Sequence, residues 1–132
     1  MNFLALYATE LLLLLFLIIT FLQSGIDKVM DWSGNLQWLK SHFADTPLAR
    51  WVPLLLGIVL IAEVSAGILC ALGVFQLILG EGKGLAFAGA VVSCAALLML
   101  LFGQRMARDY EGARTIAVYF IPAIFLVFLL QQ

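Results

Sequence analysis

Two carboxylates interrupt stretches of chain that are otherwise apolar, and they are the first candidates for chemistry. Glu10 lies within residues 2–22 and Glu63 within residues 51–75. Either stretch is long enough to cross a bilayer, which takes about 20 apolar residues at 1.5 Å of rise each. An ionisable side chain at membrane depth costs about 2.5–3.5 kcal/mol on insertion scales and marks a functional site by default. We therefore take Glu63, Glu10 and the nearby Ser65 as candidates for binding a ligand or handling a proton.

Each glutamate also has a structural interpretation. Glu63 is equally consistent with a protonated side chain hydrogen-bonded to a neighbouring helix. Glu10 is equally consistent with a side chain that reaches the membrane interface. If both face inward, we expect their depths to differ by about one helical turn, 5.4 Å. They would then form a coupled carboxylate pair that titrates as a unit.

The composition is that of an integral membrane protein. The chain has 132 residues, of which 64% are hydrophobic and 11% charged, against about 45–50% and 25% in soluble domains. The formal net charge of −1 excludes an electrostatic nucleic-acid binder, which needs a basic stripe. The length predicts a single domain, residues 1–132.

Four apolar segments, at residues 3–22, 52–75, 85–102 and 116–130, predict four membrane-spanning helices. A lone strand would leave its backbone unpaired in lipid, so the fold class is all-α, an integral membrane four-helix bundle. Residues 35–43 carry an apolar stripe at helical spacing and predict a short interfacial helix in the first loop. Pro122 predicts a kink in the fourth span.

The distribution of basic residues predicts an orientation. Loops 23–50 and 103–115 carry six of the seven Lys and Arg residues, whereas the turn at 80–84 carries only Lys83. The positive-inside rule places both loops in the cytoplasm and both termini in the periplasm or outside. We expect a multi-pass protein of the bacterial inner membrane, whose first segment is retained as an anchor because it lacks a basic n-region and a cleavage site.

Small residues predict where the helices pack most closely. Gly, Ala and Ser crowd the second and third spans, and small side chains let helix backbones approach in a membrane. The hairpin formed by these two spans should be the tightest contact. The first and fourth spans, richer in Leu, Ile and Phe, should face lipid or a partner.

Charged residues beside the spans predict structural ion pairs. Asp27 and Lys28 follow the first span, and Arg105, Arg108 and Asp109 follow the third, at the same level. Asp27 is expected to pair with Arg105 or Arg108. The alternative is that these loops are solvated and anchor to anionic lipid headgroups.

Motifs for metal or haem binding are lacking. His42 is the single histidine, and Cys70 and Cys94 match no zinc or redox spacing. We predict no metal, two buried free cysteines, an unremarkable His42 and no resident cofactor, with a quinone as the one alternative. No catalytic residue can be named.

Three segments resemble the DoxX-like family of small four-helix bacterial membrane proteins. They are FLQSGIDKVMDW after the first span, AEVSAGILCALG in the second, and GQRMARDYEGA after the third. The family's serine-glycine-x-x-lysine pattern is matched by Ser24, Gly25 and Lys28. Its glutamate followed by small residues is matched by Glu63, Ala66 and Gly67. The third segment is similar to a subgroup feature.

The resemblance implies an association with membrane oxidoreductases, since the family's namesake is a subunit of a thiosulfate:quinone oxidoreductase. Thiosulfate chemistry is not carried over, because neither cysteine is expected at a membrane face. The leading hypothesis is an accessory subunit of a larger, redox-linked membrane complex, without catalytic activity of its own. Its partners would be the lipid bilayer and other membrane subunits or further copies of the chain.

Two other hypotheses remain open. The first is a quinone-interacting component of a membrane oxidoreductase, with Glu63 as proton acceptor. The second, ranked last, is a small proton-coupled transporter built around Glu10 and Glu63.

Overall fold

The computed structural model describes the chain from Phe3 to Gln132, with side chains from Leu4 onward. Residues 1 and 2, which the predicted domain includes, lie outside the described residues. Within this range the structure is helical and has no strand. Its α-helices are α1 (Phe3–Met30), α2 (Trp32–His42), α3 (Val52–Ile78), α4 (Gly84–Met106) and α5 (Tyr110–Leu130). A 3-10 turn, Ala49–Trp51, leads into α3.

Four of these helices, α1, α3, α4 and α5, are long and apolar enough to cross a membrane. This confirms the all-α class and the predicted number of helices long and apolar enough to span a membrane. The remaining α-helix, the short α2, lies in the first loop, as predicted. We call the end of the bundle that carries α2 the loop end, and the end that carries the α3–α4 connection the turn end.

The first helix is longer than its apolar run. Residues 23–30 were predicted to be loop, but α1 continues through them to Met30, because no proline interrupts them. The helix ends at Asp31, whose φ of −134° and ψ of 55° are not helical. The Asp31 carboxylate then accepts a hydrogen bond from the Gly34 backbone N–H at 3.3 Å and caps α2. The short helix therefore begins three residues earlier than predicted.

The predicted loop at residues 103–115 is also mostly helical. Only residues 107–109 separate α4 from α5, and Arg108 takes a φ of 60° in this sharp connection. Asp109 caps α5 by accepting a hydrogen bond from the Gly112 backbone N–H at 2.9 Å. Helix α5 is unbroken through Pro122, where a kink was predicted. A departure from helical backbone angles occurs instead at Tyr7 of α1.

The pair α3 and α4 shares the most extensive interface of the bundle, which confirms the predicted hairpin. An ideal Cβ built on Gly73 would lie 2.5 Å from the Ala86 Cα, and one on Gly89 would lie 2.8 Å from the Cys70 nitrogen. These distances are too short for any larger residue, so the two backbones touch. Glycine allows this approach, and dispersion between the backbones stabilises it.

The remaining helices pack in the order α1–α3–α4–α5, and α1 meets α5 along a much smaller interface. In the apolar stretch of each helix, only 22% is buried in α1 and in α5, compared with 28% in α3 and 39% in α4. This confirms that the first and fourth spans are the more exposed. The buried core is built from Leu11, Leu14, Leu17, Phe21, Ala66, Cys70, Leu77, Ala86, Ala90, Cys94, Ala96, Leu97, Ala123, Leu126 and Leu130.

Candidate functional site

A buried ion pair joins α1 to α3. The Lys28 Nζ lies 2.8 Å from the Glu63 Oε1, and the two side chains are 17% and 3% exposed. Lys28 also donates a hydrogen bond to the Ser24 Oγ at 2.6 Å, one turn back along α1. The ammonium sits in the last turn of α1, where the helix dipole also favours a cation. Glu63 is thus a counter-ion held by a cation, and not an isolated buried carboxyl.

Small residues bring the two helices close enough for this pair to form. Gly25 packs against the Val64 side chain, and a Cβ there would lie 2.9 Å from the Val64 Cγ2. One turn deeper, Gly67 contacts the Leu22 side chain with no room for a Cβ. A lysine placed three residues after Gly25 therefore projects along α3 toward Glu63. The serine, glycine, lysine and glutamate singled out in the sequence are neighbours in space.

The coupled pair of Glu10 and Glu63, one of the two possibilities that the sequence left open, does not form in this structure. Glu10 lies 18 residues before Lys28 on α1, which is about 27 Å along the helix axis at 1.5 Å per residue. Because Lys28 contacts Glu63, Glu10 lies toward the turn end, well beyond the side-chain reach of Glu63, and is half-buried there. The depth estimate failed because Glu63 was placed from the ends of the apolar runs, and α1 continues beyond its run.

The remaining candidates lie apart from this pair. Ser65 is half-buried two residues beyond Glu63, and side chains two apart on a helix do not share a face. Asp27 is exposed and, within the described part of the chain, forms no ion pair with Arg105 or Arg108. The Arg105 guanidinium instead lies 5.2 Å from the centroid of the Tyr110 ring.

A cavity of about 540 Å³ opens at the loop end, between α2 and the facing ends of α3 and α4. Its size falls within the range of about 300–1,000 Å³ that is typical of ligand pockets. The short helix α2 forms the roof of the cavity, and Lys28 of α1 reaches the cavity from the side. The cavity is lined by Lys28, Asn35, Trp38, Leu39, His42, Phe43, Leu48, Val52, Leu55, Leu56, Ile58, Val59, Leu98, Met99, Leu100, Phe102, Gly103 and Gln104.

The lining is apolar except for four side chains. Those are Lys28, Asn35, His42 and Gln104. The Gln104 Oε1 is buried and has no hydrogen-bond partner among the described residues, and the Gln104 carboxamide packs beside Gly112 at the start of α5. Both basic groups have a carboxylate beside them, Glu63 for Lys28 and Asp109 for His42. The cavity therefore combines an apolar body with a few polar groups, and the two basic ones each have a carboxylate beside them.

The outer walls of the cavity belong to the apolar surface of the bundle. Ile58, Leu98 and Phe102 line it and are 42%, 52% and 59% exposed. They lie on helices that are apolar enough to span a membrane. A hydrophobic molecule could therefore reach the cavity from this apolar surface.

An aromatic pair forms part of the roof. The Trp38 and His42 rings, one helical turn apart on α2, stack with centroids 4.5 Å apart and an interplanar angle of 16°. Phe43 contacts the His42 ring edge-on at 5.3 Å, and its tip faces Gly103, where a Cβ would lie 3.6 Å away. The roof is thus fixed by ring contacts and presents a flat aromatic surface.

The sequence predicted that His42 would be unremarkable, but the structure places it in contact with several groups. Its Nε2 lies 3.5 Å from the Asp109 Oδ2, while the other oxygen of Asp109 caps α5. The ring also borders a second, more polar cavity of about 590 Å³ that includes Asp45, Arg105 and Arg108. The tryptophan four residues earlier was the available signal, because residues at that spacing share a helical face.

Cys70 and Cys94 are buried and free, as predicted. The Cys70 Sγ lies 3.8 Å from the Ser93 Oγ, and Ser93 donates its own hydrogen bond to the Gly89 carbonyl at 2.7 Å. The serine hydroxyl is satisfied within α4. The thiols belong to the packed part of the α3–α4 interface and do not line the cavity.

Comparisons with models of known families, with curated proteins and with solved structures find no significant match.

Proposed function

We propose that the protein is a membrane-embedded, quinone-interacting component of an oxidoreductase assembly, and that the cavity under α2 holds the quinone. The observation that carries the proposal is this cavity of about 540 Å³, apolar in its body and polar at a few points. Pockets with this division bind amphiphilic molecules, since the polar groups fix orientation and the apolar walls supply burial.

The chemistry of the lining favours a quinone over a phospholipid. A phosphodiester headgroup brings a negative charge, whereas Lys28 already pairs with a carboxylate and His42 already lies beside one. A quinone ring is neutral, flat and rich in oxygen acceptors, which suits an ammonium donor and the Trp38–His42 stack. When bound, a quinone would supply two-electron chemistry that this chain's own side chains cannot.

The cellular setting is part of the same proposal. The four apolar helices cross the bacterial inner membrane, with the loop end in the cytoplasm, where the basic residues cluster. The exposed flanks of α1 and α5 are available to lipid or to neighbouring subunits. The resemblance to DoxX-like proteins agrees with a place beside a membrane oxidoreductase and stays a prediction. A transporter loses its basis, because Glu10 and Glu63 lie far apart.

Fluorescence of the purified protein in lipid nanodiscs tests the proposal. Trp38 lines the cavity and Trp51 does not, although the two indoles are similarly exposed, at 58% and 50%. Quinones quench indole fluorescence on contact, so a short-chain benzoquinone should give saturable quenching in the wild type. Trp38→Phe should remove most of the saturable part, and the matched control Trp51→Phe should retain it.

Quenching that rises linearly with quinone in the membrane, and equally in both variants, would overturn the proposal. The accessory role without a ligand would then be the better account. It predicts that redox-active chains co-isolate with the protein in mild detergent, whether or not quinone is present.

A further inference from the structure

Lys28 is the one lysine or arginine of the described residues that lines the apolar cavity. Its Nζ is already held on two sides, by the Ser24 Oγ at 2.6 Å and the Glu63 Oε1 at 2.8 Å. An ammonium has three N–H donors, so at least one remains for a group inside the cavity. The site thus contains a positioned donor at the boundary between its polar and apolar parts.

Glu63 controls the charge of this donor. The carboxylate is nearly fully buried, at 2% exposure, and lies one turn beyond Val59 on α3, behind the cavity wall. It contacts Lys28 without lining the cavity itself. Because the two charges cancel at 2.8 Å, an anion in the cavity gains little net attraction and still loses its hydration. A neutral oxygen acceptor can take the remaining N–H at a much smaller desolvation cost.

We propose that Lys28 donates a hydrogen bond to a carbonyl oxygen of the bound amphiphile, and that Glu63 makes the site select neutral headgroups over anionic ones. This inference rests on the proposed function and deepens it. It changes the role expected for Glu63, which acts as a positioning and charge-balancing residue and not as the proton acceptor. Lys28, first considered a structural ion-pair residue, becomes the group that touches the ligand.

Two probes of similar length test the selection, a short-chain alkyl benzoquinone and an alkyl carboxylate, with binding measured in nanodiscs of neutral lipid. Glu63→Gln keeps the shape and the hydrogen-bonding capacity of the side chain but leaves the ammonium without a counter-ion. We expect quinone affinity to change by less than about threefold and carboxylate affinity to rise by about tenfold or more. Lys40→Met, on the exposed side of α2, controls for general surface charge and should leave the ratio of the two affinities unchanged.

A second variant tests the hydrogen bond itself. Lys28→Met combined with Glu63→Gln removes the donor without leaving a buried charge. Quinone affinity should fall by about tenfold, whereas an alkylbenzene that lacks the two carbonyl oxygens should bind as it does to the wild type. An equal loss for both compounds would indicate a structural role for Lys28 and would overturn the inference.

The inference also fails if Glu63→Gln leaves the ratio of quinone to carboxylate affinity unchanged while the wild type binds quinone saturably. A wild-type protein that binds neither probe would instead refute the proposed function, so the two failures are distinguishable. Each variant tests a separate part of the proposal, so either one alone can overturn it if the other does not fold.

Discussion

The two ends of the α3–α4 hairpin differ in how closely the helices pack. Toward the turn end, the backbones touch at Gly73 and Ala86, and again at Gly89 and Cys70. At the loop end, the same two helices present leucine, valine, methionine and phenylalanine to a cavity of about 540 Å³ that α2 covers. One helix pair therefore provides both a close contact and a pocket.

Glycine alone does not explain this difference. Gly57 lies at the loop end, and a Cβ built on it would meet nothing within 4 Å. At Gly73 the same added atom would meet backbone. A glycine therefore matters where a neighbouring backbone faces it. This depends on the register between α3 and α4, which the short turn between them helps to fix.

The largest expected effect comes from breaking the close contact. Gly73→Leu would drive a side chain into the Ala86 backbone, which cannot move aside as a flexible side chain can. Overpacking typically costs about 1–3 kcal/mol where neighbouring side chains can shift. Here the backbones of two helices would have to separate, so we expect a larger cost that abolishes the monodisperse, folded protein. Circular dichroism and size-exclusion chromatography in detergent measure this.

Gly57→Leu is the matched control, because its side chain would enter open space. It should fold and elute like the wild type. Equal damage from both substitutions would show that glycine flexibility, and not the close approach, distinguishes the two ends.

A smaller effect is expected from breaking the ion pair at the loop end. Lys28→Met alone leaves Glu63 buried without its cation, and removal of one partner of a buried pair typically costs about 3–5 kcal/mol. The cost should appear as a lower midpoint of thermal unfolding in detergent, with the helical fold retained. Because uncompensated charge is the cause, adding Glu63→Leu should restore most of the lost stability, and a double variant no more stable than Lys28→Met would contradict this account.

The smallest expected effect concerns the attachment of α2. Asp109→Asn preserves the cap of α5, since asparagine caps as well as aspartate, but it removes the charge 3.5 Å from His42. Partly exposed pairs contribute about 0–1 kcal/mol. Backbone amides at the end of α2 should therefore exchange with deuterium no more than about fivefold faster.

Asp31→Asn is the control for this measurement, because Asp31 caps α2 in the same way and has no histidine beside it. It should leave exchange at the end of α2 unchanged. If both variants accelerate exchange equally, His42 does not help to hold the roof.

Much of the fold could be predicted from the sequence because hydrocarbon is a demanding solvent. Apolar length fixes the number of spans, and small residues correctly indicated that α3 and α4 pack most closely. Helix ends were predicted less well. Residues 23–30 are polar enough to be read as loop, but their helical hydrogen bonds continue until the backbone changes direction at Asp31.

The site was predicted in its parts and not in its arrangement. Lys28 and Glu63 were both identified, yet they were not predicted to pair with each other, because apolar runs give a poor measure of depth. The position and lining of the cavity could not be predicted, since they depend on how α2 lies across two other helices. His42 was overlooked for the same reason, and only its spacing from Trp38 hinted at a shared surface.

A single residue, Asp31, separates α1 from α2. Lys28 lies three positions before it, so the ceiling of the pocket and its cationic wall are joined by one short stretch of polypeptide. Enlarging the pocket by altering α2 would consequently displace the ammonium as well. Trimming Leu55 or Met99 on the other two walls is the way to adjust capacity while leaving the headgroup contact in place.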